Sequence, residues 1–159
     1  MKQMQMRCNQ LLTDNSVISV DNTYTNGSFP YWISNPTGAT LKRIKLMAGR
    51  VIAGKFGGTV TVEVYQTRDV AIRNTKNEDG SSKFPNSGLP ADYIRANWTK
   101  IDELDFTLRD ADEFYSSSYA ITNINIPNDC YIIGLVKING DLQVINLFVY
   151  VDYEDNPME

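Results

Sequence analysis

Residues Cys130–Glu154 read CYIIGLVKINGDLQVINLFVYVDYE, and the way this stretch folds decides the architecture. Two runs of β-branched and aromatic residues flank Asn139-Gly140, the strongest short-range signal for a β-hairpin. A type I′ turn there pairs Ile138 with Asp141, Val136 with Gln143, Gly134 with Ile145, Ile132 with Leu147 and Cys130 with Val149. With Val151 next along it, this set forms a core face. The opposite face carries Tyr131, Ile133, Leu135, Val144, Phe148 and Tyr150, with Asn146 as its main polar exception. A surface hairpin alternates apolar with polar residues, so an apolar second face needs a cover. Another layer of the same chain or another subunit must supply it.

Working outward, Tyr119 to Ile126 leads through the Pro127-Asn128-Asp129 turn into this stretch. Thr99 to Leu108 has strand character: Leu104, Phe106 and Leu108 alternate, and Ile101 falls out of phase as a bulge would make it. The cleanest strand is Thr59 to Gln66, TVTVEVYQ. Its Val60, Val62 and Val64 point one way, and Thr59, Thr61, Glu63 and Tyr65 the other. Between these two, about 67–98 reads as one long loop. Near its end Pro90 opens a helical turn that sets Ile94 and Trp98 one turn apart.

Towards the start, Leu41 to Met47 and Val51 to Ala53 flank Gly49 as two strands or one bent strand. Asn26-Gly27 and Asn35-Pro36-Thr37-Gly38 are turns, and the aromatic strand Phe29 to Ile33 between them is an edge strand because of Pro30. Ser16 to Val20 is a short strand, and Met4, Met6 and Cys8 alternate with polar residues as an opening strand does. Roughly eight to ten short strands without a long amphipathic helix predict an all-β fold. The expectation is a single domain over residues 1–159, an antiparallel β-sandwich or jelly roll with one long loop.

Composition removes several function classes. The net charge is −4, and no run of Lys or Arg is longer than Lys42-Arg43, so the basic stripe that nucleic-acid binding needs is missing. The chain has no histidine, which excludes Ser-His-Asp and Cys-His nucleophile systems and the commonest metal ligand. Cys8 and Cys130 match no zinc or redox spacing and read as buried free thiols. The opening MKQMQMRCNQLL lacks the continuous apolar core of a secretory signal, and no apolar run reaches membrane-span length. The expectation is a soluble, cytoplasmically made chain with no membrane partner.

Three motifs approach known chemistry. Gly49 to Phe56 nearly matches a phosphate-binding loop, but Phe56 stands where a hydroxyl must meet magnesium, and strand sequence follows where a helix should begin. Thr75-x-Asn77-x-Asp79-Gly80 resembles the middle of a calcium loop, but Thr75 and Asn86 replace its terminal acids. Glu103 and Asp105 lie on one strand face roughly 7 Å apart, within reach of a glycosidase pair but equally the pattern of a solvated acidic strand. The reading is therefore no catalytic residue, no metal and no cofactor.

The ending IPNDCYIIGLVKINGDLQVINLFVYVDYE, within an Asn- and Tyr-rich, Cys-poor, His-free chain, resembles the small all-β virion proteins of tailed bacteriophages. Jelly-roll capsid auxiliary proteins and the heads of short fibres belong to this group. The resemblance implies a non-catalytic structural subunit located in the virion, synthesised in the bacterial host cytoplasm. Its partners would be itself, for instance as a trimer, and other virion proteins such as the major capsid protein. The expected protein interface is Tyr131, Ile133, Leu135, Phe148 and Tyr150, joined by the loop residues Phe84, Leu89, Tyr93 and Trp98. The alternative is a carbohydrate-binding module or adhesin that meets surface glycans through Tyr31, Trp32 and Trp98.

Overall fold

The computed structural model describes residues 1–7, 17–18, 24–26, 31–68, 91–108, 115–116 and 120–158. In chain order the strands are β1 (Lys2–Arg7), β2 (Val17–Ile18), β3 (Tyr24–Asn26), β4 (Tyr31–Ile33) and β5 (Ala39–Thr67). A helix, α1 (Ala91–Asn97), precedes β6 (Thr99–Leu108), β7 (Tyr115–Ser116), β8 (Ala120–Ile126) and β9 (Cys130–Asp155).

The Asn139-Gly140 hairpin does not form. β9 runs straight through it for 26 residues, and its partner is the 29-residue β5. The two pair antiparallel from Ala39 opposite Asp155 to Thr67 opposite Tyr131. Ile138 therefore faces Val60 and not Asp141, and Cys130 faces Ile33 of β4 and not Val149. The turn signal was real in one respect, since Gly140 has φ 86, a value that favours glycine. The chain uses it to swivel the strand. Opposite, Gly58 pairs with Gly140 and Ala53 with Leu142, so residues 54–57 of β5 bulge against Asp141 alone. Gly140, expected in a turn, lies within a kinked strand. The same course removes the phosphate-loop motif, because residues 49–56 are strand.

The kink makes two sheets out of one pair of strands. Residues 142–155 of β9 and 39–53 of β5 form the centre of a first sheet, edged by β1 on one side and β8 on the other, with β2 and β7 continuing those edges. Residues 130–140 of β9 and 58–67 of β5 form the centre of a second, edged by β3 and β4 in line and by β6. The fold is an antiparallel β-sandwich of jelly-roll type with four strand positions in each sheet.

The period-2 alternation places the core. Ile44, Leu46, Val149, Val151 and Met4 of the first sheet share one buried cluster with Val60, Val62, Val64, Ile132, Val136 and Ile138 of the second. At roughly 1.5–3 kcal/mol for each large apolar side chain, this burial dominates stability. Of the face expected as core, Cys130, Ile132, Gly134, Val136, Ile138, Leu147, Val149 and Val151 are buried, although their cross-strand partners differ.

At its centre the second sheet is buried on both faces. Thr61, Glu63 and Tyr65 are inaccessible, as are Ile133 and Leu135, which pair with Tyr65 and Glu63 and so share their face. α1 covers this face. Its Ile94 is fully buried, and the Trp98 amide donates to the Ile94 carbonyl at 2.9 Å to close the last turn. The helical turn expected after Pro90 is the seven-residue helix α1. The bulge expected at Ile101 is also present: Val64 pairs with Asp102 and Tyr65 with Lys100, leaving Ile101 as the extra residue. Cys130 is a buried free thiol, whereas Cys8 lies outside the described residues.

A polar clasp closes the open end. Gly38 donates its amide to the Asn35 carbonyl at 2.9 Å, and Asn35 Nδ2 donates to the carbonyls of Gly38 (2.7 Å) and Asn156 (3.2 Å). Asn156 answers by donating through Nδ2 to the Thr37 carbonyl at 2.9 Å and to Asn125 Oδ1 at 2.7 Å. Its Oδ1 accepts from the Thr40 hydroxyl at 2.7 Å. These bonds tie the turn after β4 to the segment that follows β9.

Candidate functional site

Three places in the sandwich carry side chains that its packing alone does not require. The first is the outer face of the first sheet. Phe148 pairs with Met47 and Tyr150 with Lys45, and all four are half-buried. The Phe148 and Tyr150 rings lie 6.2 Å apart at 41°, and Lys45 Nζ sits 6.0 Å from the centre of the Tyr150 ring. Arg43 and Asp152 border them, with Arg43 Nε 3.0 Å from Asp152 Oδ2.

The second is a charged cluster beneath α1. Glu63 is 1 % exposed and stands on a β5 face covered by the helix. Its Oε1 accepts from the Tyr65 hydroxyl at 2.9 Å and from Arg95 Nε at 3.0 Å, while Oε2 accepts from Lys100 Nζ at 3.3 Å. Burial pushes the Glu63 carboxyl up. The hydrogen bonds from Tyr65, Lys100 and Arg95, with the Arg95 charge, outweigh it and hold the group below the ordinary carboxylate range. Burial and the bond to Glu63 raise Tyr65, and the bond to Glu63 raises Lys100. Every polar atom of the carboxylate is used, which makes the cluster a structural tie between helix and sheet.

The third is a cleft of about 280 Å³ where β4 meets the ends of β1 and β9, lined by Lys2, Trp32, Ser34, Asn35, Tyr153 and Asp155 among others. Trp32 is 55 % exposed. Lys2 and Asp155 form an ion pair across it. Burial raises the Tyr153 hydroxyl, and the neighbouring Tyr31 and Asp155 add to the rise against the opposing effect of Lys2.

The expected interface residues separate into groups. Ile133, Leu135 and Trp98 are buried by the chain's own packing, so they do not offer a surface. Tyr93, Tyr131, Phe148 and Tyr150 are half-buried, and Phe84 and Leu89 lie outside the described residues. The proposed glycan set is divided likewise: Tyr31 and Trp32 are exposed neighbours on β4, but Trp98 is 7 % exposed beneath α1. The acids Glu103 and Asp105 share a face with ordinary partners, Lys100 Nζ at 3.5 Å and the Thr61 hydroxyl at 2.6 Å. The calcium-like stretch 75–86 lies outside the described residues, and no cluster of metal-ligating side chains occurs among those described. No helix among the described residues is long and apolar enough to cross a membrane.

Sequence reasoning missed Lys2, Asn35, Tyr153 and Asp155 as a group, and the tie of Glu63 to Arg95 and Lys100. The only available signal for the tie was a glutamate within a valine-rich strand.

No family model matches the chain, and no curated protein matches it. Solved structures similar to it include the Eiger TNF from S. frugiperda, at 10% identity and a TM-score of 0.40, covering 99% of this chain and 96% of that one. Another is the C-terminal CBM6 of LamC, a marine laminarinase from Zobellia galactanivorans, at 12% identity and a TM-score of 0.39, covering 95% and 100%. Neither likeness bears on function.

Proposed function

We propose that this protein is a non-catalytic structural subunit of a phage particle, a capsid auxiliary or decoration protein or a fibre-head module. It acts through protein–protein contacts, with copies of itself or with another virion protein such as the major capsid protein. The observation that carries the reading is the outer face of the first sheet. Met47, Phe148 and Tyr150 occupy its two central strands, where a free sandwich surface ordinarily presents polar residues. Aromatic residues and methionine at the centre, bordered by arginine and charge, are the composition of a contact surface. The phage setting is supported by the resemblance of the closing segment from Ile126 to Glu154.

The test is solution mass by light scattering behind a sizing column at several concentrations, for the parent and for Phe148→Ser/Tyr150→Ser. A closed oligomer that the double variant reduces to monomer supports a self-contact on this face. A parent monomer that binds purified phage particles, and loses that binding in the variant, supports a capsid or tail partner. A monomer that binds no particle, or an oligomer that the variant leaves intact, would overturn the reading.

A further inference from the structure

We infer that the cleft beside the end of α1 is a binding site for an organic carboxylate, held by Arg95, Lys100 and the indole N–H of Trp98. The inference is independent of the phage assignment, since the contact face proposed above lies on the other sheet. It begins with a buried donor that the fold does not satisfy. Trp98 is 7 % exposed, and its Nε1 has no acceptor among the described residues. Buried donors are nearly always paired, because a donor held from water without a partner is costly. An acceptor carried by a ligand satisfies such a donor.

Trp98 lines a cleft of about 500 Å³ whose other walls, among the described residues, are Tyr65, Arg95, Ala96 and Lys100. Register and helix agree on its place. Tyr65 pairs with Lys100 across β5 and β6, so both stand on the face that α1 covers. Arg95 and Trp98, three residues apart, reach the same face from the end of the helix. The volume falls within the roughly 300–1,000 Å³ of small-molecule sites. Nε1 is shut off from water, so an acceptor reaches it on a ligand that enters the cleft and parts its walls. Arg95 and Lys100 are the walls able to give, with side chains 43% and 45% exposed.

The charges select the ligand. Among the described residues the lining holds two cations and no acid. Glu63 accepts from Arg95 at 3.0 Å and from Lys100 at 3.3 Å, and one carboxylate against two cations leaves one positive charge. Glu103 meets Lys100 at 3.5 Å, but it lies outside the lining with its side chain 49% exposed, where water screens it. An ammonium has three protons and Lys100 has two carboxylate partners, so a third proton remains for a ligand. An ionised carboxylate is anionic and accepts only, which suits both this ammonium and the indole N–H. Tyr65, Ala96 and Trp98 give apolar surface to the body of an organic acid, a contact that an inorganic anion does not use. A free organic acid and the acidic side chain of a partner protein offer this same chemistry.

The experiment follows the indole protons of the isotope-labelled full chain by NMR. The chain has two tryptophans, so two indole signals are present, and Trp32→Phe identifies that of Trp98. Phenylacetate, phenylacetamide, inorganic phosphate and a blocked glutamate are each titrated into the parent, Lys100→Gln and Glu103→Gln. The expected result is a saturable downfield shift of the Trp98 indole proton with a carboxylate, and far weaker binding of phenylacetamide and phosphate. Tighter binding of phenylacetate assigns the site to a free acid, and tighter binding of the blocked glutamate to a partner's side chain. Lys100→Gln should weaken carboxylate binding about tenfold or more. Glu103→Gln removes a competing acceptor from the same ammonium and should not weaken it, whereas a merely structural role would make both variants weaken it alike. A Trp98 signal that no carboxylate moves, equal binding of the amide or of phosphate, or undiminished binding by Lys100→Gln would overturn the inference.

Discussion

Gly140 stands directly opposite Gly58 in the β5–β9 ladder, and the two sheets diverge at this pair. With φ 86 at Gly140, the backbone takes a conformation that L side chains rarely hold. Gly140→Val is expected to cost about 1–3 kcal/mol, the usual penalty for forcing a bulky residue to positive φ. Gly140→Asn should cost less, since asparagine tolerates that region. Denaturant midpoints for the pair of variants check the ordering; equal costs would mean that φ is not the cause.

Gly38 meets a harder limit. Its φ is +79, and a Cβ built there would lie 2.1 Å from the Ile126 carbonyl oxygen, a backbone atom that cannot step aside. Gly38→Ala should therefore lower stability by well over the roughly 1 kcal/mol typical of point substitutions. Thr37→Ala, one residue away, removes a hydroxyl bond to the Asn156 carbonyl and should fall near that typical value. Thermal unfolding of both variants gives the comparison.

Glu63 predicts an acid-sensitive helix contact. Its folded carboxyl lies below the ordinary value of 4.5, so ionised Glu63 stabilises the fold fully above that pH. The contribution is lost as pH falls through the depressed value. Arg95 and Lys100 are 43% and 45% exposed and can return to water, so the loss is smaller than for a wholly buried pair. Glu63→Gln should cost about 1–2 kcal/mol at neutral pH and flatten the acid limb of the stability curve. Denaturation of both proteins between neutral and acid pH, followed by tryptophan emission, is the measurement. Parallel curves would mean that another group controls the acid limb.

Leu135 and Phe148 separate core from surface. Leu135 is wholly buried in the second sheet, and Leu135→Ala is expected to cost about 2–5 kcal/mol. Phe148→Ser, on the half-buried outer face of the first sheet, should cost much less in the monomer and act on association instead. Unfolding and sizing measurements on the two variants should give opposite rankings.

Local patterns were legible wherever the deciding interactions are local. The alternation of Val60, Val62 and Val64 marks a strand with or without its neighbours. The one-residue phase slip at Ile101 is a bulge in the sequence and in the pairing alike. Pro90 followed by Ile94 and Trp98 encodes the helix that covers the second sheet. The Asn139-Gly140 signal misled because it is also local. A turn offers a few bonds, and continuing the strand kept the ladder with β5 from Thr67 to Ala39.

The sequence by itself determined the class: alternating apolar residues, turn chemistry and the absence of long helical periodicity leave an antiparallel sandwich as the economical way to bury these side chains. Partner choice was decided only in three dimensions. Lys2 and Asp155 meet across a separation of 153 residues, and Asn35 meets Asn156 across 121. Such contacts leave no periodicity behind, because polar residues at a strand end are compatible with many neighbours. The apolar second face of β9 shows the same division. Its composition demanded a cover, but only the packed chain set α1 over Ile133 and Leu135 while leaving Phe148 and Tyr150 half-buried on the first sheet. Burial energy depends on area removed from water and not on which segment removes it.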